Sequence, residues 1–460
     1  MMRLRSVPRW GVVVALVLGL STLSLDTVEV ASAHGGPVEW TQYHGGALST
    51  GVIPVSGVSL KSLAWTSSPL DGDLFGQPLV FEGRVYVATE NDSVYALSSR
   101  TGRILWRTHL GAPVAASDLS CGDITPTIGV TGTPVIDPVR HELFAVAFLR
   151  VGTRDVHRLV GLSTTTGAPR LAVNVDPRGA LSTALLQRTA LTLDRGSVVF
   201  GFGGNSGDCG PYRGRVVSVP ELGGAPRIFT IDATAHQREG AVWMGAAAPV
   251  VDAAGNIWVE SGNGSVTSPS GPYDRSDAVL ELSPRMTLRH FFAPTDWSAQ
   301  NAADADLSTS PALMNDGSVI AAGKAGVAYL LSRHHLGGIG GQLAQVSACP
   351  GNMDGGIATR GHVAYLPCLG GLVAVTENLT PATIRVLWSS GEGGDSPVLT
   401  DTQVLTLSGD GTLLALNPTS GHVESSLRLS RLANHFPTPG FGDGHLLVAT
   451  ARSVVALATS

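Results

Sequence analysis

From Arg84 to Trp106 the chain reads RVYVATENDSVYALSSRTGRILW, and degraded copies of this stretch recur along the rest of the sequence. Val85 to Thr89 alternates β-branched or aromatic residues with small ones, the period of a strand. Glu90 to Ser93 is a polar turn, Val94 to Leu97 a second strand, and Arg100 to Gly102 a turn whose glycine accepts positive φ. Trp106 closes the third strand as a large apolar anchor. Sustained helical periodicity is absent, so the pattern predicts an all-β chain.

Copies of "Pro, apolar pair, turn, strand, turn, strand" then set the architecture. They begin at Gln77-Pro78 and Thr133-Pro134. A weaker third copy carries Val198–Phe200 and Arg215–Val219. The fourth holds Pro249-Val250-Val251 and Ile257–Glu260, and the fifth Pro311-Ala312-Leu313 and Val319–Ala322. Val363–Leu366 marks the sixth, Pro397-Val398-Leu399 the seventh and Thr438-Pro439 the eighth. The eighth ends without a final strand, whereas Leu63-Ala64-Trp65 near the N-terminus looks like Leu105-Trp106 and Leu387-Trp388 with no strands before it. An N-terminal strand completing the C-terminal blade removes both open edges. The expectation is an eight-bladed β-propeller of four-stranded blades, with seven blades as the alternative if the third copy is irregular.

Composition narrows the setting. Arg3, Arg5 and Arg9 precede an apolar run from Gly11 to about Leu20, and Ala31-Ser32-Ala33 follows, so residues 1–33 read as a secretory signal peptide and 34–460 as one propeller domain. No later run is long and apolar enough to span a membrane. The formal net charge is −6 and no basic run occurs, which argues against nucleic acid. The four cysteines suit an exported protein with two disulfides. Cys349 and Cys368 flank a predicted hairpin, while Cys121 and Cys209 sit in polar loops of successive repeats. Of three connectivities, Cys121–Cys209 with Cys349–Cys368 is the expected one. No CxxCH occurs, so a c-type haem is excluded. Among the basic residues only Lys61 and Lys324 are lysine.

The order Ala96, Thr101, Gly102, Trp106 resembles the repeat of quinoprotein β-propellers, with Ser98 where that family usually has Asp or Asn. In such folds a small-molecule site lies at one mouth of the ring, built by loops. GNSGDCGPYRG (Gly204 to Gly214) resembles a loop of quinoprotein alcohol dehydrogenases carrying an acidic calcium ligand, and Asp208 is its nearest match, offset by one position. REGAVWMGAAAPVVDAAGNIWVESGNG resembles the same enzymes over a longer span, which implies Trp243 as the floor for pyrroloquinoline quinone and Asn263 as a calcium ligand. APTDWSAQNAADADL resembles the segment that carries their catalytic aspartate after a Trp. Here Ser298 follows Trp297, leaving Asp296, Asp304 and Asp306 as alternative bases. GKAGVAYLLSR implies Lys324 beside the quinone oxygens, where a cation would stabilise developing negative charge. Lys324 is expected to matter more for quinone binding than for stability.

Each residue has a structural reading as well. Trp243 serves equally as an inter-blade anchor, Asn263 as a turn residue, Asp208 as a loop cap, the three aspartates as Asx-turn residues and Lys324 as an exposed hairpin residue. Their shared order across three successive blades favours a site. Glu90 and Asp123 lie in turns that can face the channel without belonging to a motif. His334-His335 and His435 lack zinc-site spacing. Asn91, Asn263 and Asn378 match the glycosylation pattern.

The resemblance implies an exported oxidoreductase that uses pyrroloquinoline quinone and calcium to oxidise hydroxyl groups, with secreted polyvinyl alcohol dehydrogenases the natural comparison. The rival is a non-catalytic propeller of the cell envelope that presents its ring to protein partners, as the outer-membrane assembly lipoprotein with these repeats does. Ser298 favours the scaffold; Lys324 and the Trp243 to Asn263 spacing favour the cofactor. A polymer-binding propeller has no residue in its favour.

Overall fold

The structure, a computed structural model, describes residues 38–433 and 436–459. The expected signal peptide and His435 lie outside them. Eight sheets form eight blades, each of at least four strands. In the first blade these are Leu79–Phe81, Arg84–Ala88, Ser93–Ser98 and Ile104–His109, from the inside outward. The three inner strands are almost wholly buried, whereas the outer one alternates between exposed and half-buried positions. Neighbouring blades cover both faces of the inner strands, so these read as continuous apolar runs, and only the rim keeps the period of two.

The third copy, weakest in sequence, is a full blade built on Thr192–Asp194, Ser197–Gly204, Arg215–Pro220 and Arg227–Thr230, with Leu185–Leu186 added at one end. The eighth blade consists of Gly440–Gly442, His445–Ala449 and Val454–Ala458, and its outer strand is Trp65–Thr66 from the N-terminal side. Trp65 faces Ala456 and Thr66 faces Val455 in an antiparallel register. The ring is closed as the sequence implied. One helix was not foreseen: Trp297–Ala303, seven residues in the connection between blades four and five. Among the described residues no helix is long and apolar enough to cross a membrane.

Tryptophans on the outer strands of blades eight, one and six lock each of these to the next. Trp106 Nε1 donates to the Thr164 carbonyl (3.0 Å), Trp65 to Ser99 (2.8 Å) and Trp388 to Pro418 (3.0 Å). Three residues beyond each acceptor stands a glycine with φ near +70°: Gly167, Gly102 and Gly421. A Cβ on Gly102 would lie 2.4 Å from the Trp65 ring, and one on Gly421 2.3 Å from Trp388. The glycine therefore serves two needs, a left-handed turn and a flat seat for the indole.

A second closure had no sequence signal. The segment before Trp65 crosses the inner strands. Trp40 exchanges both backbone hydrogen bonds with Val80, Thr41 accepts from Ile136, and Gln42 Oε1 accepts from Leu193. Ala47, Thr50 and Gly51 then accept from Val251, Thr359 and Leu399. Residues 40–51 thus cap the innermost edges of six blades, edges that would otherwise carry unpaired amides.

Successive strands of a blade are antiparallel. Consequently the second-to-third connections and the blade-to-blade connections emerge at one end of the ring, and the remaining turns at the other. The candidate residues all belong to the first end.

Candidate functional site

Asp208 lies between the second and third strands of blade three, Trp243 between blades three and four, and Asn263 between the second and third strands of blade four. Asp296, Asp304 and Asp306 occupy the connection to blade five, and Lys324 the corresponding turn of blade five. A line of hydrogen bonds joins five of these seven. Asp208 Oδ1 accepts from the Tyr212 hydroxyl (2.5 Å), and that hydroxyl accepts from Asn263 Nδ2 (3.1 Å). The Asn263 N–H donates to Asp306 Oδ1 (2.6 Å), while Lys324 Nζ reaches Asp306 Oδ2 (2.5 Å) and Asp304 Oδ1 (2.9 Å).

Local backbone explains the approach. Gly262 lets the Asp306 side chain lie against the chain, since a Cβ there would fall 2.5 Å from Asp306 Cβ. Asp208 and Asn263 both take left-handed φ, 53° and 52°, a conformation short polar residues tolerate. The Cys121–Cys209 disulfide, with Cα atoms 5.9 Å apart, anchors the Asp208 loop. Cys349 and Cys368 form the second, so the expected pairing holds. The latter joins blades five and six rather than closing one hairpin.

Trp243 sits half-buried beside this line. Its Nε1 donates to the Gly204 carbonyl (2.9 Å), and a Cβ on Gly203 would lie 2.2 Å from that nitrogen. Met244, Gly245 and Ala246 follow with φ of 52°, 50° and 70°. Consecutive left-handed residues, two of them not glycine, are strain of a kind that gathers at functional loops.

The three aspartates separate. Asp306 is wholly buried with both oxygens engaged. Burial pushes its pKa up, and the Lys324 ammonium limits the rise. Partial burial works against the Lys324 charge, yet Asp306 and Asp304 together hold its pKa above the ordinary lysine value. Asp304 is 68% exposed at the mouth. Asp296 stays outside the line, at the start of the short helix, where its Oδ1 accepts from Gln300. Trp297 packs edge-on against Tyr273, 5.0 Å between centroids, and Ser298 is buried within the helix.

Sequence reasoning missed two members. Tyr212, inside the GNSGDCGPYRG loop, bridges the two expected calcium ligands. Asp277 is fully buried and faced by the Leu307 backbone N–H, with neither oxygen in a well-formed hydrogen bond. Burial first, and then the Asp306 charge, raises its pKa well above the usual carboxylate range. Glu90 is buried in blade one, where Oε2 accepts from the Gly129 N–H (2.7 Å) and the Thr131 hydroxyl (3.1 Å) of the next blade. Glu260 grips Thr309 in the same way between blades four and five.

As a donor set, Asp208, Asn263 and Tyr212 offer carboxylate, amide and phenol oxygens, which suits a hard cation such as calcium in kind. The half-buried Trp243 indole offers an aromatic face, and Lys324 a cation.

A family model described as outer membrane protein assembly factor BamB matches residues 26–270, just over half of the chain. No curated protein matches. Among solved structures, a quinohemoprotein alcohol dehydrogenase from Pseudomonas putida HK5 aligns with a TM-score of 0.71 and 14% identity over 92% of this chain and 80% of that one. The quinohemoprotein alcohol dehydrogenase of Comamonas testosteroni gives 0.70 and 15% over the same shares. BamB from Moraxella catarrhalis gives 0.56 and 16% over 88% of this chain and 98% of that one. At these identities the likeness is one of fold. By the extent of the family match, and with the eight-bladed ring that its repeats build, this protein belongs to the outer membrane assembly factor BamB family of quinoprotein-type propellers.

Proposed function

We propose that the chain is an extracytoplasmic propeller that binds pyrroloquinoline quinone and a hard cation at the mouth formed by blades three to five, and that it oxidises hydroxyl groups there. The observation that carries this reading is the unbroken line from Asp208 through Tyr212, Asn263 and Asp306 to Lys324. The quinone, when bound, would supply a two-electron acceptor. Trp243 would give it a face to stack on, and Asp208 and Asn263 would hold the cation. Lys324 would present a fixed positive charge to the quinone oxygens, kept in place by Asp306. Asp304, exposed and hydrogen-bonded to the same ammonium, would take the hydroxyl proton. Asp306, with both oxygens occupied, would position rather than react. The two disulfides and the neighbouring folds support an extracytoplasmic setting.

The test is calorimetric titration of the purified protein with pyrroloquinoline quinone, with and without calcium. Saturable, calcium-dependent binding at micromolar or better affinity, weakened at least tenfold in Trp243→Ala, is expected. Absence of binding in both buffers refutes the reading.

A second reading rests on the family match and on Ser298 in place of the aspartate expected after Trp297: a scaffold that presents the ring to envelope proteins. On that reading the quinone titration is flat and the mouth residues keep only their structural roles.

A further inference from the structure

At the opposite end of the ring, on the seam between blades five and six, three side chains converge that no part of the quinone reading uses. Asp316 occupies the turn between the first two strands of blade five, and His362 the same turn of blade six. Glu377 projects from the third strand of blade six, Gly371–Leu379. His362 Nδ1 lies 2.8 Å from Glu377 Oε1 and 3.7 Å from Asp316 Oδ2, and one ligand atom of each lies within 4.8 Å of the others.

We propose that Asp316, His362 and Glu377 bind one divalent cation of the borderline transition class, for which zinc is the natural probe. Two observations beyond the clustering point to a ligand. Glu377 has no exposed side-chain surface, and its Oε2 has no hydrogen-bond partner among the described residues. The pair with His362 engages Oε1 and the Ser318 hydroxyl lies beside the carboxylate, yet Oε2 itself makes no well-formed hydrogen bond, an arrangement proteins rarely leave without an ion or water. In addition, Asp316 is prepared as a metal-ligating carboxylate is. Its Oδ1 accepts from the Ser318 N–H (3.0 Å) and hydroxyl (2.8 Å), which turns Oδ2 toward His362.

The spacing suits a first coordination sphere. Tetrahedral ligands about 2.0 Å from a metal stand roughly 3.3 Å apart, and the two His362 distances bracket that value. One imidazole nitrogen with two carboxylate oxygens favours zinc-like ions over calcium or magnesium, which take oxygen alone. The His362 side chain is 61% exposed, so the site has an entry path and room for a water as fourth ligand. Cys349 and Cys368 join the same two blades at the other end, where the Cys349 N–H meets the Gly326 carbonyl beside Lys324. The cation would clamp the far end of a seam whose near end is already cross-linked.

Titration of the full chain with zinc chloride tests this, using wild type, His362→Ala, Glu377→Gln and the control His335→Ala, which alters the neighbouring pair His290 and His335. One site of micromolar or better affinity is expected in wild type and in the control, weakened at least tenfold in the other two. Zinc should raise the melting temperature of wild type and leave that of His362→Ala unmoved. His362 is exposed enough for its alanine variant to fold, so loss of Glu377→Gln to misfolding would not remove the test. Equal zinc affinity in wild type and His362→Ala, no zinc binding at all, or calcium bound as tightly as zinc would each overturn the proposal.

Discussion

Lys324 Nζ lies 2.5 Å from Oδ2 of Asp306, and the carboxylate it meets has no exposed surface. This contact gives Lys324 a role beyond any ligand. Removing the cation leaves Asp306 either charged without a partner or forced to take up a proton, in a buried site already shared with Asp277. Lys324→Met should therefore destabilise the ligand-free protein by about 3 kcal/mol, the lower end of the cost of breaking a buried pair. The double variant Lys324→Met with Asp306→Asn should recover part of that loss. Urea denaturation of the three proteins checks both statements. A single variant as stable as wild type would place Lys324 in the role first read from the sequence, important for binding alone.

Acid should stabilise the fold. Burial pushes Glu90 up to about 7 and Asp395 up to about 7. In the unfolded chain both carboxyls lose their protons near pH 4. Between about pH 4 and 7 the folded state thus binds more protons than the unfolded one, and stability falls as pH rises. Glu260 and Asp277, raised by burial, act in the same direction. The melting temperature should drop from pH 5 to pH 8, and Glu90→Gln or Asp395→Asn should each flatten the slope. A melting temperature that climbs across this range would contradict the assignment.

How far the sequence carried depends on what each feature needs. Blade strands announce themselves because neighbouring blades bury them on both faces, and the glycine turns because Trp65, Trp106 and Trp388 require a bare glycine seat. Closure by Trp65 was legible as a strand without partners. The cap by residues 40–51 was not, because it works mainly through backbone carbonyls of Thr41, Ala47, Thr50 and Gly51, which any residue carries whatever its side chain. Loop order placed Asp208, Asn263 and Lys324 at one end of the ring and left three aspartates alike. Their burial differs, Asp306 inside and Asp304 and Asp296 outside, and burial follows from packing between loops that local sequence does not carry. Tyr212 and Asp277 escaped because each gains meaning only from a partner in another loop.

The seat of an indole can be separated from the left-handed turn that accompanies it. Gly152 and Gly167 have φ of 61° and 71°, yet a Cβ on Gly152 meets nothing within 4 Å. A Cβ on Gly167 would lie 2.5 Å from Thr108 Oγ1 and 2.7 Å from the Trp106 ring. Gly152→Ala should cost about 1 kcal/mol, the backbone term alone. Gly167→Ala should cost more by about 1–3 kcal/mol, since Trp106 must leave its seat and its bond to Thr164. Equal losses in thermal unfolding would mean that the indole yields freely and does not hold blades one and two together.

The inner cap makes a prediction that ring closure does not. A chain starting at Ser59 keeps Trp65 and hence the eighth blade, but loses the acceptors for the amides of Ile136, Val251, Thr359 and Leu399. Those amides belong to the innermost strands of blades two, four, six and seven, so the ring should still form with its inner edges open. Hydrogen exchange at these four positions should accelerate toward that of surface amides, while amides on the third strands, such as Ala96 and Leu414, stay protected. If all four remain as slow as in the full chain, the segment lies over the strands without holding them, and the ring is held by its blade-to-blade contacts, the tryptophans among them.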